Sequence, residues 1–201
     1  MTTLTPGARR ILDVASELFY AHGIHAVGVD TIAAESGVTK RTLYDRFGSK
    51  DVLVATYLRE RDERWRARVS TAVEAESEPV RRVLAPFAVL ADWVGEGTSR
   101  GCAFVNAFAE LDEPDHPGRT VIADEKRWLR ALFAAELAGT GVADPDGLAL
   151  QLLVLHEGAL VTHAVAAEPG APAAAGAAAR QLVERETERP GEHAERGARP
   201  V

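Results

Sequence analysis

The stretch VGVDTIAAESGVTKRTLYDR, residues 27 to 46, decides how this chain is read. Two short helices that cross at a steep angle make three demands on a sequence. The first helix needs a small residue where its backbone approaches the second, and Ala33 stands there. The turn needs a residue that accepts a positive φ angle, and Gly37 follows four positions later. The two helices must share an apolar seam, which Ile32, Val38 and Leu43 supply. Thr39 then stands where an N-cap is wanted for a second helix over Lys40 to Phe47. The polar positions of that helix are Thr39, Lys40, Arg41, Thr42, Tyr44 and Asp45. Arg and Lys pair with guanine edges, Thr contacts a thymine methyl or a phosphate, and a tyrosine hydroxyl reaches a phosphate. Lys50 adds a cation at the start of the next helix, whose free amides suit a phosphate oxygen. The pattern implies a helix-turn-helix that docks in a DNA major groove. Its bland counterpart is a helical hairpin with a solvated basic face.

Working outward, nearly everything reads as helix, and no run of alternating β-branched residues signals a strand. The N-terminal stretch MTTLTPGARRILDVASELF reads as a capped amphipathic helix without the apolar core and cleavage site of a secretion signal. Gly23, Gly28, Gly37 and Gly48 punctuate the first three helices. Ser49 caps a long fourth helix from Lys50 to about Glu76, and Ser77 is placed to cap a fifth. A sixth spans roughly Cys102 to Leu111 and is broken by DEPDHPG. A seventh runs from about Arg119 to Ala138, an eighth from Asp144-Pro145 to near Glu168, and an alanine-rich ninth from about Pro172 to Glu188. The expected class is all-α with about nine helices. The organisation is a helix-turn-helix domain over 1–50, a helical body over 51–188 and a disordered tail over 189–201.

Charge and composition narrow the function classes. The net charge is −7, which taken alone argues against DNA. Its distribution counts for more. Residues 1–50 carry six Lys/Arg against five Asp/Glu, a net of +1, so the rest of the chain holds −8. A modest basic patch on an acidic body allows phosphate contacts without strong non-specific binding. The single cysteine, Cys102, cannot form an internal disulfide, so a reducing cytoplasm is expected. No uninterrupted apolar run reaches the roughly 18 residues of a membrane span, and no membrane partner is expected.

In the body, Phe104, Ala107, Phe108 and Leu111 form one stripe of the sixth helix, while Cys102, Asn106 and Glu110 form a second line at i, i+4, i+8. That second line either walls a ligand pocket, together with Phe87, Phe104 and Phe108, or bonds neighbouring helices and solvent. His156 and His163 lack a third ligand at metal spacing, so no metal and no cofactor are expected. Leu152, Leu155 and Ala159 on the eighth helix, with Ala177 and Leu182 on the ninth, offer a face of apolar and small residues. Such a face suits a four-helix dimer interface.

The first 60 residues resemble the tetracycline-repressor (TetR) family of bacterial regulators. The likeness rests on Ala15, Leu18, Phe19 and Gly23, then on Gly37-Val38, Thr42-Leu43-Tyr44, Phe47 and Ser49-Lys50, and finally on Val52-Leu53. The resemblance implies a homodimer whose three-helix heads bind a palindromic operator and whose helical bodies bind a small-molecule inducer. Half-sites must then lie about one helical turn, ~34–36 Å, apart or a multiple of it, so a small rotation of each head costs contacts in both. Gly28 departs from the Ser or Thr usual near the second helix start, and Thr31 takes over that phosphate contact. Two other classes weigh against this one. An enzyme with a DNA-binding head would need a nucleophile elbow, a P-loop or a ligand cluster, and the sequence offers none. A helical scaffold would not require the exposed Lys40-Arg41-Thr42-x-Tyr44 set.

Overall fold

A computed structural model describes residues 4–96 and 100–188, and among these the chain forms nine α-helices and no strand. The expected tail over 189–201 and the middle of the 95–101 loop lie outside the described residues. The helices fall into two compact units.

The first unit comprises residues up to Trp65 together with Cys102–Glu125. It contains α1 (Pro6–His22), α2 (Val29–Glu35), α3 (Lys40–Phe47), the first part of α4 (Lys50–Ala75), α6 (Ala103–Glu110) and the start of α7 (Pro117–Ala138). Thr5 caps α1 with Pro6 behind it, an arrangement that wastes no amide because proline has none. Ile11, Leu12, Ala15 and Phe19 recur at helical spacing and line a core with Ile32, Leu43, Leu53 and Leu58. Phe104, Ala107, Leu111, Val121 and Ile122 belong to that same core. The division expected at residue 50 therefore does not coincide with the units. Phe104 and Ala107 of α6 and its C-cap Leu111 share this core with residues of α1 and α4 far away in sequence, a grouping no local pattern announces, while Phe108 of the same stripe is exposed.

The second unit comprises Arg66–Gly101 and the chain from Lys126 onward. Its helices are the rest of α4, α5 (Pro79–Gly95), the rest of α7, α8 (Pro145–Val165) and α9 (Ala171–Thr187). The cap of α5 is Glu78 rather than the expected Ser77. Its two carboxylate oxygens accept from the amides of Val80 and Arg81, both at 2.9 Å, one oxygen to each amide. Val83, Leu84, Phe87, Leu90 and Val94 bury one face of α5 as their spacing predicts. The Phe87 ring lies 5.7 Å from Phe133 and stands edge-on to His156 at 5.7 Å. Burial holds the His156 imidazole below its ordinary pKa, because the interior solvates a cation poorly. Arg82 joins three elements: it donates twice to Glu136 on α7, at 2.6 and 3.1 Å, and also to the carbonyl of Val73 at the frayed end of α4.

The expectation of no membrane-length segment is corrected at α8. This helix is long and apolar enough, by length and composition, to meet the measure of a membrane span. A search for an uninterrupted run misses it because His156, Glu157 and Gly158 punctuate the helix. Only a third of its most apolar window is buried within the chain.

Candidate nucleic-acid interface

The turn between α2 and α3 is built as the sequence requires. Gly37 takes φ 67°, a conformation a side chain resists. Its neighbour Val38 donates its amide to the Ala33 carbonyl at 3.0 Å, closing α2. Ile32, Ala33 and Leu43 are buried, and Val38 is partly buried against the same core. Ser36, which no sequence pattern singles out, is also buried; its hydroxyl donates to the Ile32 carbonyl at 2.6 Å and ties off the last turn of α2. Thr39 accepts from the Thr42 amide at 3.1 Å, so α3 begins with a true N-cap. The Thr39 and Thr42 hydroxyls lie 2.9 Å apart, which fixes both side chains at the mouth of the helix.

The structure gathers Thr39, Lys40, Arg41, Thr42 and Tyr44 on the first turns of α3. Arg41 projects almost free of the chain, its side chain 91% exposed and its Nε 3.9 Å from Asp45. Tyr44 is 41% exposed, which leaves its hydroxyl open to a partner. The Lys40 ammonium lies 3.0 Å from the carboxylate of Asp30 on α2, and that hydrogen bond raises its pKa. Thr31 is exposed one residue after Asp30. Lys50 behaves differently from the rest. Its Nζ donates to the Ile24 carbonyl at 2.6 Å and sits 5.9 Å from the Phe19 ring centre. Burial lowers its pKa, opposed by the nearby carboxylates of Glu110 and Asp51.

The six residues considered for a pocket are divided between the two units. Phe87 belongs to the second unit, the other five to the first. Phe104 is buried in the core of the first unit. Phe108 is 52% exposed, with the Arg119 guanidinium stacked 4.3 Å from its ring centre. Cys102 stands at the N-cap of α6, and Asn106 is half-buried on the same helix. Glu110 reaches back to the α1–α2 turn and accepts from the His25 amide at 2.7 Å. In the second unit, an open groove of about 430 Å³ runs between α5 and α9, with Phe87, Ala88, Gly176 and Ala177 in its walls and Arg81 and Arg180 at its edge.

The interface candidates divide as well. Leu152 and Ala159 are interior, Leu155 and Leu182 half-buried, and Ala177 exposed. The outward apolar face of α8 carries Leu150, Val154, Val161 and Val165 instead, with the open Gly158 between them. The correction has a simple origin. α8 is apolar nearly all round, so periodicity does not tell its inner face from its outer one.

Known proteins share these features. Residues 11–57 match the profile of the tetR family of bacterial regulatory proteins. The solved structure of a TetR-family transcriptional regulator from Streptomyces coelicolor is 32% identical, with a TM-score of 0.80, and the match covers 92% of this chain and 96% of that one. A TetR-type regulator from Streptomyces avermitilis is 30% identical, with a TM-score of 0.72 over 88% of this chain and 98% of its own. The transcriptional activator FasR of Mycolicibacterium smegmatis is 29% identical over 116 residues, which is 58% of this chain but only 52% of that relative's length.

Proposed function

The chain belongs to the TetR family of bacterial transcriptional regulators, and from that premise we propose that it is a ligand-responsive repressor, released from a palindromic operator by a small-molecule inducer. The observation that carries the DNA-binding part is the cluster of Thr39, Lys40, Arg41, Thr42 and Tyr44 at the exposed start of a capped helix whose other face is locked into a core. Arg41 is the reader of a guanine edge, and Tyr44 and Thr31 hold phosphates. Lys50 contributes to the backbone field while its ammonium stays anchored to the Ile24 carbonyl. Repression requires only that the protein occupy a site overlapping a promoter, whereas activation requires a further contact with polymerase.

The working unit is a homodimer through α8 and α9. What supports this is the apolar stripe Leu150, Val154, Val161 and Val165, too continuous to leave to water in a protein that acts in the cytoplasm. Half-buried Leu155 on α8 and Leu182 on α9, with exposed Ala177, complete the proposed interface. The inducer binds in the second unit, and the α5–α9 groove beside Phe87 suits an apolar or aromatic molecule.

Fluorescence-anisotropy titration of the full chain against its own upstream DNA, at several salt concentrations, tests the reading. Replacing Arg41 and Tyr44 together by Ala is expected to weaken specific binding by on the order of a hundredfold, since a well-made base contact is worth about 1–3 kcal/mol and a phosphate contact is lost with it. Unchanged specific binding in that double variant would refute the assignment. A promoter–reporter fusion separates repression from activation.

A further inference from the structure

We infer that Glu110 is a positioning residue of the DNA-binding head, acting through the turn at residues 23–25 rather than through a ligand. The inference rests on the DNA-binding reading. Glu110 is the last residue of α6, and its side chain is only 26% exposed. One carboxylate oxygen accepts from the His25 backbone N–H at 2.7 Å, and the imidazole Nδ1 of the same residue lies 3.6 Å away. The other oxygen presses against Gly23 so closely that a Cβ there would sit 2.9 Å from it. Gly23 itself has φ 90°, which a side chain resists. Glycine is thus required at 23 by its backbone, and the carboxylate, the end of a flexible side chain, lies close over it.

The opposite side of the turn is held as well. Lys50 Nζ donates to the Ile24 carbonyl at 2.6 Å, and it feels the negative charge of Glu110. Three consecutive residues are therefore gripped by one charged group from α6 and one from the start of α4. The side chains of Ile24 and Val27 are buried and pin the chain that leads into α2. Only three residues separate His25 from Val29, where α2 begins. α2 in turn packs on α3 through Ile32, Ala33 and Leu43, so an error at residues 23–25 passes into the angle at which the recognition helix is presented.

A turn held this way affects specific and non-specific binding differently. Non-specific binding follows charge and tolerates misalignment, while base readout does not. The test uses the full-length chain, a duplex that the wild type selects from a random library, and a scrambled duplex of the same composition. Glu110→Ala is expected to lower affinity for the selected duplex about tenfold, the scale of one lost charge-assisted hydrogen bond, with scrambled binding unchanged or slightly tighter. Glu110→Gln keeps an acceptor for the His25 amide and is expected to restore most of the ratio. Glu110→Asp, whose shorter side chain falls short of the His25 amide, should reproduce the Ala variant's selective loss even if Glu110→Ala folds poorly.

Amide hydrogen exchange gives a readout independent of DNA: the His25 amide should exchange faster in Glu110→Ala and not in Glu110→Gln. A wild-type ratio of selected to scrambled affinity in Glu110→Ala overturns the inference, as does an unaltered His25 exchange rate. A Gln variant as weak as the Ala variant also overturns it, because charge rather than the hydrogen bond would then be at work. A wild-type chain with no preference for any duplex overturns the DNA-binding reading and takes this inference with it, while unaltered exchange in a chain that does prefer its duplex defeats this inference alone.

Discussion

The α2–α3 pair and α8 are both short enough to read residue by residue, yet only the first has faces that are legible in advance. In α2–α3 the constraints are carried by residues that few others replace. Gly37 occupies φ 67°, Thr39 caps α3, and Ala33 allows close approach. Each of these fixes a phase, and the phase then sorts Ile32 and Leu43 inward and Arg41 and Tyr44 outward. α8 has no such fixed points along its middle. Leucine, valine and alanine occupy every side, so pattern alone assigns Leu152 and Ala159 to a surface when they belong to the interior, and Val154 and Val161 are the ones left outside. Special backbone geometry informs more than hydrophobicity does, because hydrophobicity says that a residue is covered and not what covers it.

That comparison breaks most clearly at neighbouring positions of α8. Leu152→Ala is expected to cost about 2–5 kcal/mol of stability, the range for truncating a fully buried leucine, read as a lowered midpoint in urea unfolding. Val154→Glu, two residues on and 63% exposed, is expected to leave the fold intact while driving the proposed dimer toward monomer in sedimentation at micromolar concentration. If Val154→Glu remained dimeric, the outer face of α8 would not be the interface. If Leu152→Ala were harmless, the inward phase assigned to α8 would be wrong.

The sequence also hides what lies far apart along the chain. Nothing local marks Glu110 as a partner of His25, 85 positions earlier, and its i, i+4, i+8 line with Asn106 and Cys102 suggests a pocket wall instead. Lys50 reads as a free phosphate contact because its neighbour in space, the Ile24 carbonyl, is a backbone atom that no side-chain pattern reveals. The cap of α3 and the turn glycine act within about five residues, and the seam of Ile32, Val38 and Leu43 spans eleven positions, so these are legible.

A smaller effect is expected at His156, in the core of the second unit, where the Phe87 ring stands edge-on to the imidazole and Glu157, itself paired with Lys126, lies 3.6 Å from Nδ1. Its pKa is lowered in the folded chain, chiefly by burial, so the neutral form is the one the fold accommodates. The stability this contributes is complete above the unfolded value, about 6.5. It is lost as pH falls below that value and through the lower folded one, at no more than about 1.4 kcal/mol per pH unit. Thermal melts between pH 7.5 and 5 should show this slope in the wild type and a shallower one in His156→Phe. α1 has no histidine among its buried residues, so amide exchange at low pH should loosen α5 and α8 before α1. Equal slopes in the two proteins would remove His156 from the account.

The smallest expected effect concerns the recognition helix itself. Lys40 meets Asp30 at 3.0 Å, and Arg41 meets Asp45 only at 3.9 Å. Both pairs are exposed, so neither does much for stability. Their consequence lies in binding: a cation already facing a carboxylate has less to gain from a phosphate. Asp30→Asn is therefore expected to tighten binding to scrambled duplex several-fold and to steepen the salt dependence of log K by about one unit, the increment for one added phosphate contact. Bulk charge predicts the same gain for Asp45→Asn, whereas pairing predicts a smaller one, because Arg41 is held more loosely. A second comparison separates the two accounts. In a Lys40→Met background, pairing predicts that Asp30→Asn has little left to release, while bulk charge predicts an undiminished effect.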